Sequence, residues 1–511
     1  MANGETLLKE AYIDILALEE FAPAREQLNR LLSNIVSPKM AHMQHGEVEE
    51  RLRTDGTEFL RGVFQGALDR RAKDEVKLES VTASNGVELT HRRGGTEHDL
   101  MSVFGEVKPS RIAYSKPGEK SLFPLDAELN LPPDKMSHGM RRRLAEEVTR
   151  GSFDQGMKNI ERTTGGKIHK LQAEQVTVKL AQDFDSFYQT RQADSPEKTT
   201  DPLVLTLDGK GIKMRKNSLR EPTRKAAERG QHKLKTRLSK GEKRNSKRMA
   251  TVASVYSIEP HLRSPESIMG LEEEETAVAA PRPRNKRVFA SIEKEAGVVC
   301  EELFQEALRR DPKMKRKWCI PVDGAEHQLS NVRSCIKKHE VKDATIIIDF
   351  VHVTEYVWQA AFCFNPEGSE AAEAWVGERL LKILQGKATD VAQGMRQSAT
   401  KRNLSKQSRK AVDKCADYLL KYSSMLQYDR YLQQGFPIGT GVIEGACRYL
   451  VKDRMDITGA RWGLQCAEAI LKLKSVQSSE DFDAYWEHHK NQELQRNHLV
   501  HYANFPLQKA A

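Results

Sequence analysis

Three short apolar runs in this chain end on an aspartate, and that repetition constrains its fold more than any other feature. LVLTL (203–207) is closed by Asp208, WCIPV (318–322) by Asp323 and ATIII (344–348) by Asp349. Short apolar runs bounded by turn residues suit strands buried on both faces. A carboxylate directly after such a strand stands at the carboxyl edge of its sheet, where open α/β sheets carry their ligands. Glycine follows two of the three, as Gly209 and Gly324, and lets another group approach the backbone closely.

The pattern around these runs alternates. MATVASVYSI (249–258) and KRVFAS (286–291) read as further strands, and LEEEETAVAAPRPRN (271–285) as a solvated loop. Residues 294–310 and 325–338 read as helices, 354–435 as helical throughout, and 442–476 as a last helical block. The order strand, strand, strand, helix, strand, helix, strand, then helices describes an α/β RNase H-like core. That core is expected over 200–353 and 436–480, with an all-helical insertion at 354–435 and a tail at 481–511.

Upstream of a linker at DSPEKTTD (194–201), the first half is mostly helical. Three parts are expected: a helical region at 1–80, a small β-rich segment at 81–135, and a helix-turn-helix-like region at 136–195. SVFGEV, SRIAY and SLFPLDAELNLPP supply the short strands of the middle part. Ser152 is placed to cap a helix running to Thr163, which Thr164-Gly165-Gly166 breaks before the next one starts. The pair carries Lys158, Arg162, Lys167 and Lys170, and reads equally as a DNA-binding element or an ordinary helical hairpin.

Charge is concentrated. The 511 residues carry a formal net charge of +10, yet 210–248 alone holds 16 Lys or Arg against three Glu, or +13. Such a block, with Lys210, Lys213, Arg215 and Lys216 directly after the first aspartate, suits a polyanionic partner such as double-stranded DNA, and reads equally as a solvated loop. The seven cysteines form no C-x-x-C pair, which argues against a zinc ribbon or a stapled secreted scaffold. The start lacks a basic n-region and no run of 18 apolar residues occurs, so neither a secretory leader nor a membrane span is expected, and a cytoplasmic location is.

A third kind of acid completes the set. Glu444 lies just inside a helix that opens after Gly439-Thr440-Gly441. Asp208, Asp323 and Glu444 together would suit two Mg²⁺ or Mn²⁺ ions, because phosphodiester chemistry needs the attacking oxygen activated and the leaving oxygen stabilised. Taken singly, each acid also reads as a turn or a helix cap. His352 follows Asp349 by three residues, close enough for the two to meet on one helical turn. Arg448 and Lys452 share the face of Glu444, where they would grip a phosphate or form ordinary intrahelical pairs, with Arg454, Arg461 and Trp462 beyond; the indole would stack on an unpaired base or fill the core.

At these residues the chain resembles the ISKra-type transposases of bacterial insertion sequences, DDE enzymes related to the Mutator and hAT groups, which carry a (C/D)-x-x-H signature. The resemblance runs over nearly the whole chain, through SVFGEVKPSRIAYSKPGEKSLFPLDAELNLP, LTLDGKGIKM, PVDGAEHQ, DFVHVTEYVW and GTGVIEGACRYLVKDRMDITGARWGLQCAEAILKL. It implies Asp208, Asp323 and Glu444 as the metal-holding DDE triad and Asp349 with His352 as the accessory D-x-x-H pair. Asp349 competes with Asp323 for the second place, since it ends the cleaner run while Pro321 interrupts the other. The resemblance further implies cleavage and joining of transposon ends and target DNA by a homo-oligomer. The alternatives are a non-catalytic or inactive DNA-binding protein, or another RNase H-like nuclease.

Overall fold

The computed structural model of the chain describes residues 17–191, 196–229, 245–271, 279–457 and 459–505. They fall into two compact units, one formed by 1–187 with 483–511 and the other by 188–482.

The first unit begins with α1 (Ala22–Ile35) packed on the long α2 (His45–Lys73). Glycines make that packing close: a Cβ on Gly62 would stand 3.2 Å from the Ala24 Cα, and one on Gly66 would overlap the Phe21 ring. Six short strands follow, β1 (Val81–Thr82), β2 (Glu88–Leu89), β3 (His91–Glu97), β4 (Leu100–Ser102), β5 (Gly105–Val107) and β6 (Ser110–Ser115). They pair antiparallel as β1–β2, β3–β6 and β4–β5. The stretch after Leu122 is not a strand as its sequence suggested. Pro124 opens a short helix, α3 (Pro124–Glu128), where a fixed φ and a missing N–H cost nothing.

Three helices complete this part: α4 (His138–Arg150), α5 (Phe153–Thr163) and α6 (Lys170–Leu180). Ser152 caps α5 by accepting from the Gln155 N–H at 3.2 Å, as its position implied. Two of the four cations on this helical pair are already engaged, Lys170 with Asp154 at 2.9 Å and Lys167 with Glu161 at 3.1 Å.

The expected C-terminal tail is instead a helix, Phe482–Asn497, that belongs to the first unit. Two of its polar residues, His489 and Glu493, are buried and paired: Glu493 accepts from Arg141 at 2.8 Å, His489 meets Asp183 at 2.7 Å, and the more exposed Arg496 pairs with both Asp183 and Glu493. Two arginines balance the two carboxylates, so the cluster is a charge-compensated lock between distant parts of the sequence.

The second unit is built on five strands: β7 (Leu203–Lys213), β8 (Lys247–Ser257), β9 (Arg284–Ser291), β10 (Trp318–Val322) and β11 (Ala344–Ile348). Their order is β11-β10-β7-β8-β9; β8 runs antiparallel to β7 and β9, and β10 runs parallel to β7 and β11. β8 is buried from Ala250 to Ser257 without alternation, as a strand covered on both faces must be. Between the strands lie α7 (Ala296–Arg310), which packs on β7 and β8, and α8 (Glu326–Lys338). After β11 come α9 (Phe350–Ala361), α10 (Glu370–Leu384), α11 (Ala388–Lys401) and α12 (Lys410–Lys421), so the insertion is helical as its pattern indicated.

The chain then returns through α13 (Gly441–Ala446), continuous with π-helical turns at Cys447–Lys452, and α14 (Leu464–Ser478). α14 supplies the bonds that edge strand β9 lacks. The N–H groups of Val288, Ala290 and Ile292 donate to Ser479 at 3.0 Å, Ser475 at 3.3 Å and Glu468 at 2.8 Å. Alternate strand residues thus meet side chains from one polar side of a helix, and the edge is closed to further strands. Among the described residues, no helix is long and apolar enough to cross a membrane.

Burial sets one titration in the first unit. His138 contacts the Asn130 carbonyl at 3.0 Å, and burial, followed by the nearby Arg141 charge, pushes its imidazole down to about 4. The unfolded chain then binds more protons than the folded one between about 4 and the ordinary value of about 6.5. Stability from this group is present above that window and lost as pH falls through it. Relative to His138→Gln, the native chain should lose on the order of 2 kcal/mol between pH 7 and pH 4, after allowance for partial exposure. Urea midpoints of both proteins against pH measure the difference.

Candidate active site

Strand register brings the three aspartates to one line. β10 and β11 pair from Trp318–Ala344 to Val322–Ile348, so the next step sets Asp323 beside Asp349, whose N–H donates to the Val322 carbonyl at 2.8 Å. β10 and β7 pair at Trp318–Leu203 and Cys319–Val204, and the same register carried forward sets Asp323 beside Asp208. The line lies where the connections diverge, with β8 and β9 added on one side of β7 and β10 and β11 on the other. Such a switch point opens a crevice at the carboxyl ends of the strands.

β7 does not stop at Asp208. It continues to Lys213 as one arm of a long hairpin with β8, which places Asp208 inside a strand with its neighbour Gly209 exposed. What stops near Asp208 is the partnership with β10. Pro321 has no N–H, and its carbonyl accepts instead from the Thr206 hydroxyl at 3.0 Å. The Gln328 side chain bridges the gap, donating to the Leu207 carbonyl and accepting from the Asp323 N–H at 3.1 Å.

Glu444 joins this edge from above. Asp349 is fully buried and caps α9, its Oδ1 accepting from the Val351 N–H at 2.9 Å. Its Oδ2 meets the His352 Nδ1 at 3.2 Å and accepts from the Thr440 hydroxyl. Thr440 Oγ1 also lies 3.1 Å from Glu444 Oε1, so one hydroxyl ties the buried aspartate to the exposed glutamate. One turn past Glu444, the Cys447 thiol donates to Asp208 Oδ2 at 3.3 Å. Burial, and then the Asp208 charge, raise this thiol well above its ordinary range, so it stays protonated as a donor. Asp208, Cys447, Glu444, Thr440, Asp349 and His352 therefore form one connected array on the edge of β7, β11 and α13.

The ligand set differs from the expected one. Among the described residues, Asp349, His352 and Glu444 bring ligand atoms within 4.8 Å of one another, whereas Asp208 and Asp323 do not join that group. Asp208 is held by Cys447, and Asp323 Oδ1 is turned back to the Ala325 N–H at 2.8 Å at the start of α8. A divalent cation fits the donors that are present. Carboxylate oxygens suit a hard ion, Glu444 is exposed, and a neutral imidazole is a better ligand for Mn²⁺ than for Mg²⁺.

The insertion reaches the same edge. Tyr418 donates to the Asp323 carbonyl at 3.2 Å and Tyr422 to the Gly324 carbonyl at 2.7 Å. Gly324 takes φ +88°, and a Cβ there would stand 2.9 Å from the Tyr418 hydroxyl. Burial raises the Tyr418 phenol above its ordinary range, followed by the charges around it, Asp323 and Asp349 among them.

Of the proposed DNA contacts, Lys210, Lys213, Arg215, Lys216, Arg448, Lys452 and Arg461 are exposed. Arg454 and Trp462 are not: they are 2 % and 7 % exposed, the guanidinium lies 4.7 Å from the indole centroid, and the indole N–H donates to the Met455 carbonyl at 2.9 Å. Trp462 also bonds through its backbone to Lys213 and Arg215, fixing the end of β7. It is a core residue, not a stacking surface for a base. The basic stretch is partly strand and helix, with Glu221–Glu228 helical, while 230–244 and 272–278 lie outside the described residues.

Thr440, Cys447, Gln328 and Tyr418 serve the site without having been marked as site residues by the sequence motifs. The first two had a signal, since they stand four before and three after Glu444 on one helical face. Neither a comparison with protein-family models nor one with curated proteins finds a match for this chain.

Trp462→Ala should destabilise the chain by about 3–5 kcal/mol, the usual loss for a buried indole. Urea unfolding reads this directly; an unchanged midpoint with weakened DNA binding would restore the stacking role.

Proposed function

We propose that this chain is a metal-dependent transposase of the DDE kind, with an RNase H-like core that cuts and joins double-stranded DNA. One observation carries the reading: the strand register aligns Asp208, Asp323 and Asp349, and Thr440 ties Glu444 to that line. The strand order β11-β10-β7-β8-β9, with β8 alone antiparallel to its neighbours, supports the RNase H-like assignment. The π-helical turns directly after Glu444 support a site as well, because such turns recur where helices carry function.

Glu444 with Asp349 and His352 would hold one ion, and Asp208 with Asp323 offers carboxylates for a second. Bound there, Mg²⁺ or Mn²⁺ supplies charge for the attacking and leaving oxygens of the phosphodiester. The chain's own residues prepare that chemistry. Thr440 and Cys447 fix the orientation of Asp349, Glu444 and Asp208 before substrate arrives. In the tautomer whose Nδ1–H donates a hydrogen bond to Asp349, the His352 Nε2 is left with its lone pair for a metal or for the proton of the attacking oxygen. Tyr418 and Tyr422 hold the Asp323–Gly324 turn against the insertion.

Transposon ends and target would be the DNA partners, a homo-oligomer the working form, and the cytoplasm its location. Asp208→Asn, Asp349→Asn and Glu444→Gln should each lower Mg²⁺- or Mn²⁺-dependent cleavage and joining of terminal-repeat DNA at least about 10²-fold with binding retained. A comparable magnitude follows removal of a single transition-state-stabilising group elsewhere. Asp323→Asn, whose carboxylate is turned to a helix start, should lose less than Asp349→Asn. Equal activity of native and Glu444→Gln chains on labelled DNA would remove the carboxylate cluster from the chemistry.

A further inference from the structure

Beside Asp208 the β7–β8 hairpin and the π-helical turns enclose a groove of about 430 Å³. Its walls are the backbone of Gly209–Ile212, Lys247 and Met249 from β8, and Val451, Lys452, Met455 and Asp456 from the helical side. Lys210, Lys247 and Lys452 are exposed, and among the described residues none of them pairs with a carboxylate. With Asp456 as the one acid of the lining, the groove carries 3 − 1 = +2 charges. Three cations gathered on one groove without a carboxylate partner suit a polyanion that comes from outside.

The groove's shape narrows the choice. Gly209 and Gly211 leave the backbone bare: a Cβ on Gly211 would stand 3.0 Å from the Lys247 side chain and one on Gly209 3.3 Å from Met249, so larger side chains there narrow the channel. Ile212, Val451 and Met455 form a buried apolar floor, and Met249 is 54 % exposed at the rim. An apolar floor with cations at the rim matches a sugar–phosphate backbone, with deoxyribose below and phosphates along the lysines; methionine adapts readily to such a surface. The groove leads to the candidate centre. Gly209 follows Asp208 directly, and Lys210, two residues past Asp208, lines the groove with Gly209.

We propose that this groove seats the sugar–phosphate backbone of the DNA strand next to the bond that is cut, with Lys210, Lys247 and Lys452 contacting successive phosphates. The proposal rests on reading the carboxylate array as a DNA-processing centre and adds the track by which a strand reaches it.

The test is the salt dependence of binding of labelled duplex DNA to the full chain in Ca²⁺. Each phosphate contact contributes about 0.9 to the slope of log K against log salt. Lys210→Ala/Lys247→Ala/Lys452→Ala should therefore lower the slope by about two to three. The same charge removed from exposed Lys401, Lys406 and Lys410 should leave it unchanged. Gly211→Val keeps every charge and fills the channel, and should weaken binding about tenfold. An unchanged slope in the lysine variant would overturn the groove even where Glu444-dependent cleavage is found. The expected slope loss without any cleavage by the native chain would support the groove while sinking the transposase reading. Tighter binding of RNA than of DNA, with the same slope loss, would overturn the assignment to DNA.

Discussion

The parallel register of β10 between β7 and β11 is the constraint on which the candidate site depends. Each of these strands carries an apolar run that leads to an aspartate, β7 continuing past Asp208, so whatever aligns the runs brings those aspartates to neighbouring positions. A slip of one residue would turn an aspartate to the opposite face and bury it against a helix. Register is held by more than the ladder. Trp318 is buried at the start of β10 with its indole N–H on Asp311 at 3.1 Å, and Gln328 links β10 to β7 where Pro321 interrupts their bonding.

Thr440 is the second constraint, because it joins elements far apart in sequence. Its hydroxyl lies between Asp349, directly after edge strand β11, and Glu444, on a helix that follows the whole insertion. Asp349 has no exposure of its own, and its buried oxygens are satisfied by hydrogen bonds from Val351 and Thr440 and by His352. An insertion of four main helices can enter between these elements because both its ends are fixed: Phe350 donates to the Ile438 carbonyl at 2.9 Å, and Tyr418 and Tyr422 hold the Asp323 turn.

Much of this was legible in the sequence, for physical reasons. The strands are short, apolar and bounded, so β8 to β11 were readable to within about two residues, and Ser152 declared its helix through its hydroxyl. β7 was cut short because LDGKG carries a turn signal, yet the long pairing with β8 overrides local preference there. The helix Phe482–Asn497 was missed because its polar residues are paired inside the first unit, which no periodicity reveals. At the site, the acids were visible one by one, but which of them share space was not. Asp323 is turned to its own helix start and Asp349 toward Glu444, and only the folded backbone distinguishes the two. Arg454 and Trp462 misled because a cation beside an aromatic has the same composition in a core as on a DNA-binding surface.

On the proposed reading, Asp349, His352 and Glu444 converge on a divalent cation. Titrating the chain with Mn²⁺ and following free ion by electron paramagnetic resonance tests this without DNA or turnover. The native chain should bind Mn²⁺ saturably, Glu444→Gln and Asp349→Asn should each weaken that binding at least about tenfold, and Thr440→Val should weaken it less. Mn²⁺ binding of equal strength in native, Glu444→Gln and Asp349→Asn chains would contradict the convergence of these side chains on one ion.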